Sequence, residues 1–147
     1  MQNQLYPCLW FDGKAKEAAT FYCSVFKNSK ITVDTPMVVN FEINGQKFMG
    51  LNGGPMFQFN EAVSLVIDCA GQEELDYYWN ALTADGGKES MCGWLQDKYG
   101  LSWQVVPVEL GKLMTAGNPQ KGNAMMQALM KMKKLDIAQL KAAYDAG

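Results

Sequence analysis

The chain has 147 residues, with 13 Lys plus Arg against 15 Asp plus Glu and no histidine. That length suits one domain or two small modules sharing a core, and 48% hydrophobic with 19% charged residues excludes the disordered and fibrous classes. A net charge of −2 gives no reason to expect nucleic acid or an anionic membrane as partner, and the missing histidine excludes Ser-His-Asp triads, Cys-His dyads and imidazole metal sites.

The first element, Leu5 to Phe11, is a short apolar run that reads as a strand, with Pro7 pointing to an edge or a bulge. Asp12-Gly13 turns the chain. Ala15, Ala18, Ala19, Tyr22 and Val25/Phe26 recur at i, i+3, i+4, i+7, the spacing of an amphipathic helix with Asp12 or a neighbour at its start. Asn28-Ser29 ends it. Lys30 to Asp34 reads as a short strand and Met37 to Ile43 as a better one, joined by a tight Asn44-Gly45 turn to Gln46–Leu51. Asn52-Gly53-Gly54-Pro55 is a loop.

A second pass begins near Glu61. Ala62 to Cys69 is a strand of the buried kind, Leu75, Tyr78, Trp79 and Leu82 mark a helix, and Ala84-Asp85-Gly86-Gly87 closes it. A strand around Met91–Asp97, a turn at Tyr99-Gly100 and a last strand from Leu101 to Val106, stopped by Pro107, complete the pass. An offset of 56 carries Asp12 to Asp68, Glu17 to Glu73, Phe21 to Tyr77 and Tyr22 to Tyr78; an offset of 55 carries the segment 44–51 onto 99–106. Agreement over three elements points to two βαβββ modules. After Pro107 there is no counterpart. Asn118-Pro119 reads as a helix start, Met125, Met126, Leu129, Met130 and Met132 line an apolar face, and Asp136 caps a final helix through Ile137, Leu140 and Tyr144. The expected organisation is a single domain over 1–147 of the α+β class, with modules at 4–55 and 61–107 and a helical tail at 118–146.

Met1-Gln2-Asn3-Gln4 is polar and uncharged, with no export signal, and no stretch approaches the roughly 18 apolar residues that cross a bilayer. Cys8, Cys23, Cys69 and Cys92 are widely spaced without a C-x-x-C pair, so the expected state is reduced thiols in the cytoplasm.

The runs Pro7-Cys8-Leu9-Trp10-Phe11, Glu17-Ala18-Ala19-Thr20-Phe21-Tyr22, Leu51-Asn52-Gly53-Gly54-Pro55, Cys92-Gly93-Trp94-Leu95-Gln96-Asp97 and Ser102-Trp103-Gln104-Val105-Val106-Pro107 resemble the PhnB-like family. That family, often described as 3-demethylubiquinone-9 3-methyltransferase-like, is a branch of the vicinal oxygen chelate superfamily, with glyoxalase I and the bleomycin-resistance proteins. The resemblance runs over nearly the whole chain, including the run Met130-Lys131-Met132-Lys133-Lys134-Leu135-Asp136-Ile137 of the tail, and implies paired βαβββ modules whose curled mixed sheets surround a cleft, and assembly as a homodimer. One departure is the short link Ile31 to Met37, which suggests a cut-back second strand or hairpin.

The superfamily's metal enzymes place ligands on the first and last strands of each module. The matching strands here offer Cys8 and Trp10, Met49 and Leu51, Ser64 and Val66, and Gln104 and Val106. Hard cations need charged oxygen ligands and Zn²⁺ wants His, Cys or carboxylate, so no metal is expected. Gly53-Gly54 and Gly86-Gly87 are isolated pairs outside any strand–glycine turn–helix unit, so no nucleotide-type cofactor is expected either. Aromatic side chains carry the stronger signal. Trp10, Trp94, Phe57 and Phe59 are candidate cleft walls as readily as core; Trp103 and Phe48 read first as core. Gln104, Asn52, Ser64 and the Cys8 thiol are the candidate polar contacts. Each has a plainer reading: Asn52 as a turn residue, Ser64 as a satisfied hydroxyl, Cys8 as an inert thiol with no cation to lower its pKa. Glu42 and Glu61 are possible general bases or simply solvated carboxylates.

Three functions stay open on these residues. The first is a metal-free protein binding a flat or apolar small molecule, as the antibiotic-sequestering relatives do. The second is an enzyme working without His on a phenolic or quinone-like substrate. The third is a module devoted to assembly through its tail. A small-molecule ligand and a homodimer are the expected partners, with no nucleic acid and no membrane.

Overall fold

The computed structural model describes residues 3–147; the polar start at Met1-Gln2 lies outside the described residues. The chain divides into two compact units, one running to Phe59 and the other spanning Asn60–Gly147.

In the first unit β1 (Cys8–Phe11), α1 (Ala15–Val25), β2 (Ser29–Asp34), β3 (Val38–Ile43) and β4 (Gln46–Asn52) make one βαβββ module. The strand order is β1-β4-β3-β2, with β1 parallel to β4 and the other pairs antiparallel. β1 starts at Cys8 rather than Leu5. Pro7 has no N–H for the ladder, and only its carbonyl takes part, accepting from the Met49 N–H at 3.0 Å. Asn44 and Gly45 both have positive φ (51° and 82°), the geometry of a two-residue hairpin turn. Ala15, Ala18, Ala19, Tyr22 and Val25 form the buried stripe of α1, over Leu9, Phe11, Val39, Phe41 and Phe48 of the sheet. The approach is close because the stripe opens on alanines. A Cβ at Gly50 would sit 3.2 Å from both Ala15 Cβ and the Val39 carbonyl, so β4 needs glycine there.

The expected cut-back of the second strand does not occur. β2 runs six residues and pairs along β3 with one bulge near Ile31 and Val33. The short link closes because Thr35 and Val38 exchange hydrogen bonds, Thr35 N–H to the Val38 carbonyl at 2.9 Å and Val38 N–H to Thr35 Oγ1 at 2.9 Å.

In the second unit β5 (Ser64–Cys69), α2 (Gln72–Thr83), β6 (Lys88–Glu89), β7 (Trp94–Gln96) and β8 (Ser102–Pro107) repeat the pattern, in the order β5-β8-β7-β6 with β5 parallel to β8. Here the outer strand is the short one, at two residues. β7 is shorter than the sequence suggests, since Cys92 and Gly93 turn with φ of 64° and 84°. Leu75, Trp79 and Leu82 of α2 are buried over Leu95, Trp103 and Val105.

Three helices follow: α3 (Val108–Met114), α4 (Pro119–Leu129) and α5 (Ile137–Ala146). α3 was not apparent in the sequence. Pro107 ends the strand, as expected, but its extended φ and ψ (−79°, 142°) also make it the cap from which a helix leaves at once. Asn118 and Asp136 cap α4 and α5, their side chains accepting from the Lys121 and Gln139 N–H groups. The segment between α4 and α5 is stitched to its own module. Cys92 and Gly93 N–H donate to the Met132 and Lys133 carbonyls at 2.7 and 2.8 Å, and Gln72 receives the Ile137 N–H at 2.8 Å while donating to the Leu135 carbonyl at 3.1 Å. Leu135 is wholly buried. No helix among the described residues is long and apolar enough to cross a membrane.

Candidate functional site

Strand alternation gives each sheet one face under its helix and one open face. In β1, Leu9 and Phe11 point under α1, leaving Cys8 and Trp10 on the open side. Register sets Cys8 beside Met49 and Trp10 beside Leu51, with Asn40 across from Met49. Trp10 is held by its own loop: Nε1 donates to the Gly54 carbonyl at 2.8 Å, and Phe57 meets the ring edge-on at 4.9 Å. A Cβ at Gly53 would fall 2.3 Å from the indole, so the chain crosses the ring only as glycine. Phe59 instead packs edge-on against the buried Phe11, at 5.4 Å.

Asn52 has structural work. Its Oδ1 accepts from the Ala15 N–H at 2.9 Å, capping α1 in place of Asp12, and its Nδ2 donates to the Pro36 carbonyl at 2.9 Å. Burial pushes the Cys8 thiol above its ordinary value, which makes it a poor nucleophile at neutral pH. Glu42 faces the Lys30 ammonium at 3.7 Å. Asn40 Oδ1 is buried with no hydrogen-bond partner.

On the second sheet Ser64, Val66, Asp68, Trp94, Gln96, Gln104 and Val106 share the open face, by the registers Ser64 with Ser102, Val66 with Gln104, Asp68 with Val106 and Trp94 with Gln104. Gln104 Nε2 donates to Ser64 Oγ at 2.9 Å, joining two of the sequence-predicted polar contacts, with Trp94 next to them. Gln96 Nε2 donates to Glu61 Oε1 at 2.6 Å. The Ser102 hydroxyl, also on this face, is buried without a partner. Trp103 lies on the other face. It is 3% exposed and its Nε1 donates to Asp97 Oδ2 at 2.9 Å, so it serves the core. Asp97 went unnoticed as a strand-end acid; it also accepts from the Tyr99 and Leu101 N–H groups at 2.9 and 3.1 Å. The signal for it was the Asp-x-x-Gly turn before an aromatic strand.

The end of this open face is the floor of a concavity of about 600 Å³, lined by Asp68, Gln104, Val106 and Pro107 of the sheet and by Val108, Leu110, Gly111, Lys112, Met114, Thr115 and Met126 of the tail. The sequence missed this site because α3, which walls it, was not foreseen.

The strand positions where a metal enzyme of this fold needs ligands carry a raised-pKa thiol, a thioether, a hydroxyl and a neutral amide, namely Cys8, Met49, Ser64 and Gln104. Among the described residues no three His, Cys, Asp or Glu side chains come together as a metal site. These donors do not fit a divalent ion. Nor does either glycine pair cradle a nucleotide: Gly53-Gly54 wraps Trp10, and Gly87 is pressed against Thr83, whose Cα would lie 2.6 Å from a Cβ there.

The sequence profile of the 3-demethylubiquinone-9 3-methyltransferase family matches residues 3–106. Among solved structures the chain is similar to a PhnB protein from Bacillus cereus, at 32% identity and a TM-score of 0.65 over 72% of this chain and 100% of that one. It is also similar in fold to a protein from Pseudomonas aeruginosa, at 20% identity and a TM-score of 0.60 over 72% of this chain and 98% of that one. A glyoxalase-related enzyme from Fulvimarina pelagi shares the fold at 13% identity and a TM-score of 0.54, over 74% and 91% of the two chains. No curated protein matches the chain.

Proposed function

The chain belongs to the 3-demethylubiquinone-9 3-methyltransferase family, within the glyoxalase and bleomycin-resistance superfamily, and from that premise we propose that it binds a small molecule without a metal ion. The observation that carries this is the second module's open face, where Gln104 and Ser64 lie beside Trp94 and run into a concavity of about 600 Å³. That volume falls in the range of small-molecule pockets, and a mostly apolar lining with a few fixed polar groups is their usual composition. On the first module Trp10 and Phe57, set edge-on, offer an aromatic surface, with Cys8 at the next outward position. Phe59 and Trp103 belong to the packing rather than to this proposal, and Asn52 to the fold of α1.

The test is a thermal-shift screen of a broad library, repeated with Mn²⁺ or Zn²⁺ and with a chelator. Compounds that raise the melting temperature equally in chelator support the proposal. An empty screen, or stabilisation that needs the metal, overturns it.

A second reading, an enzyme acting without metal on a phenolic or quinone-like substrate, draws on the family's description and on the aromatic Trp10–Phe57 pair. Its two candidate general bases, Glu42 and Glu61, are engaged at the surface by Lys30 and Gln96. Calorimetric binding of S-adenosylmethionine to the purified protein would favour this reading over simple binding. We also propose cytoplasmic residence, supported by four free cysteines, and a homodimer, checked by sedimentation as twice the chain mass.

A further inference from the structure

Resting on the binding reading above, we propose that the carboxy-terminal helices complete a seat for a small zwitterion with an apolar substituent, an amino-acid-like molecule, on the second module's open face. The family match ends at residue 106, and the Bacillus cereus protein is covered over its full length by 72% of this chain. The wall formed by Val108–Thr115 and Met126 is therefore an addition to the shared scaffold, while the floor of Asp68, Gln104 and Val106 belongs to it.

The lining divides by chemistry. Val106, Leu110, Met114 and Met126 supply apolar surface. Asp68 stands on a strand, and its carboxylate makes no hydrogen bond or ion pair among the described residues. Gln104, one diagonal step away in the register, spends its amide nitrogen on Ser64 and keeps its oxygen as an acceptor. The floor thus offers two acceptors to an ammonium group. Lys112 comes from the helical wall and likewise has no ion pair among the described residues, which leaves it to a carboxylate. Glu109 does not compete for it, being paired with Lys141 at 3.6 Å, and the Thr115 hydroxyl is spent on the Gly111 carbonyl at 2.9 Å. One acid and one base in the lining of one concavity, unpaired with each other, match a ligand carrying both charges. The direct exit of α3 from β8 at Pro107 joins the helical wall to the floor, and the Glu109–Lys141 pair links α3 to α5.

Calorimetric titration of the full chain with L-phenylalanine, phenethylamine and 3-phenylpropionate tests this. The zwitterion is expected to bind up to about fivefold more tightly than either singly charged probe, the worth of one additional solvent-exposed ion pair. Asp68→Asn should weaken L-phenylalanine toward the carboxylate probe, and Lys112→Gln toward the amine. Both side chains are at the surface, so the variants fold. Equal binding of the three probes, or binding of none, overturns the zwitterion seat. The binding reading itself survives either result if the library screen finds a compound that stabilises equally in chelator, and falls if that screen is empty or its stabilisation needs the metal.

Discussion

The two modules share strand order and helix placement, yet they finish their hairpins and their open faces by different means. In the first, the β3–β4 turn is made by backbone conformation alone, Asn44 and Gly45 in left-handed geometry. In the second, the β7–β8 turn also has a left-handed glycine, Gly100, but adds a side chain: Asp97 is 2% exposed and collects Tyr99, Leu101 and the Trp103 indole. The first module folds the loop after β4 over Trp10 and fills part of its own face. The second leaves its face free and has helices added beside it. One scaffold can therefore diverge at its edges while its core pattern stays fixed, and the open concavity lies in the half whose face is least filled.

The largest test of that contrast is the anchor of the added helices, which the first module lacks. Leu135 is fully buried, touching Gly93 where a Cβ would come within 3.1 Å. Leu135→Ala is expected to cost about 4 kcal/mol, toward the upper end for a buried leucine, and to loosen the tail in hydrogen exchange while the first module's amides stay protected. Unchanged exchange at α4 and α5 would show that the tail holds without it. Next come the two hairpins. Asp97→Ala strands three buried or half-buried donors and should cost about 3 kcal/mol by chemical denaturation. Asn44→Ala only puts an ordinary residue in a left-handed position, at about 1 kcal/mol. Equal losses would erase the distinction between the turns.

The sequence made the shared part of this structure legible and hid the divergent part. Period-2 and period-3.6 patterns, Asn44-Gly45 and the offset of 56 between Asp12 and Asp68 all report on cores and turns, which local chemistry encodes. α3 stayed hidden because a proline that ends a strand looks the same whether a loop or a helix follows. Ser64 and Gln104 were picked out and do meet, because a parallel strand pair brings them to one face. Trp103, which reads first as core, lies there, because the step from 103 to 104 reverses the face. Asn52 looked like a turn residue; its cap on α1 is a long-range bond that no local pattern announces.

Each module also caps a helix from a distance, and here a smaller difference is expected. Asn52→Ala removes the acceptor for the Ala15 N–H and should destabilise the first module by about 1 kcal/mol. Gln72→Ala removes the acceptor for the Ile137 N–H and should cost a similar amount while mostly fraying α5. Circular dichroism with residue-resolved exchange separates the two; loss spread evenly over both units would contradict this.

The smallest effect is electrostatic and confined to the tail's attachment. The Gln72 side-chain amide, and after it the Lys134 ammonium at 3.0 Å, hold the Asp76 carboxyl below its usual range. A carboxyl whose folded pKa lies below its unfolded one stabilises the fold above the unfolded value, near 4, and loses that contribution as pH falls through the folded pKa. Both partners are more than a third exposed, so the contribution is below about 1 kcal/mol. Wild type should exceed Asp76→Asn in stability at pH 6 to 7, with the gap closing as the solution is acidified past about pH 4. The comparison belongs in low salt, since exposed pairs are screened within about 8–10 Å at physiological ionic strength. A gap that persists at pH 2 would mean that Asp76 acts on the tail through hydrogen bonding that a protonated carboxyl preserves, and that charge contributes nothing to holding it.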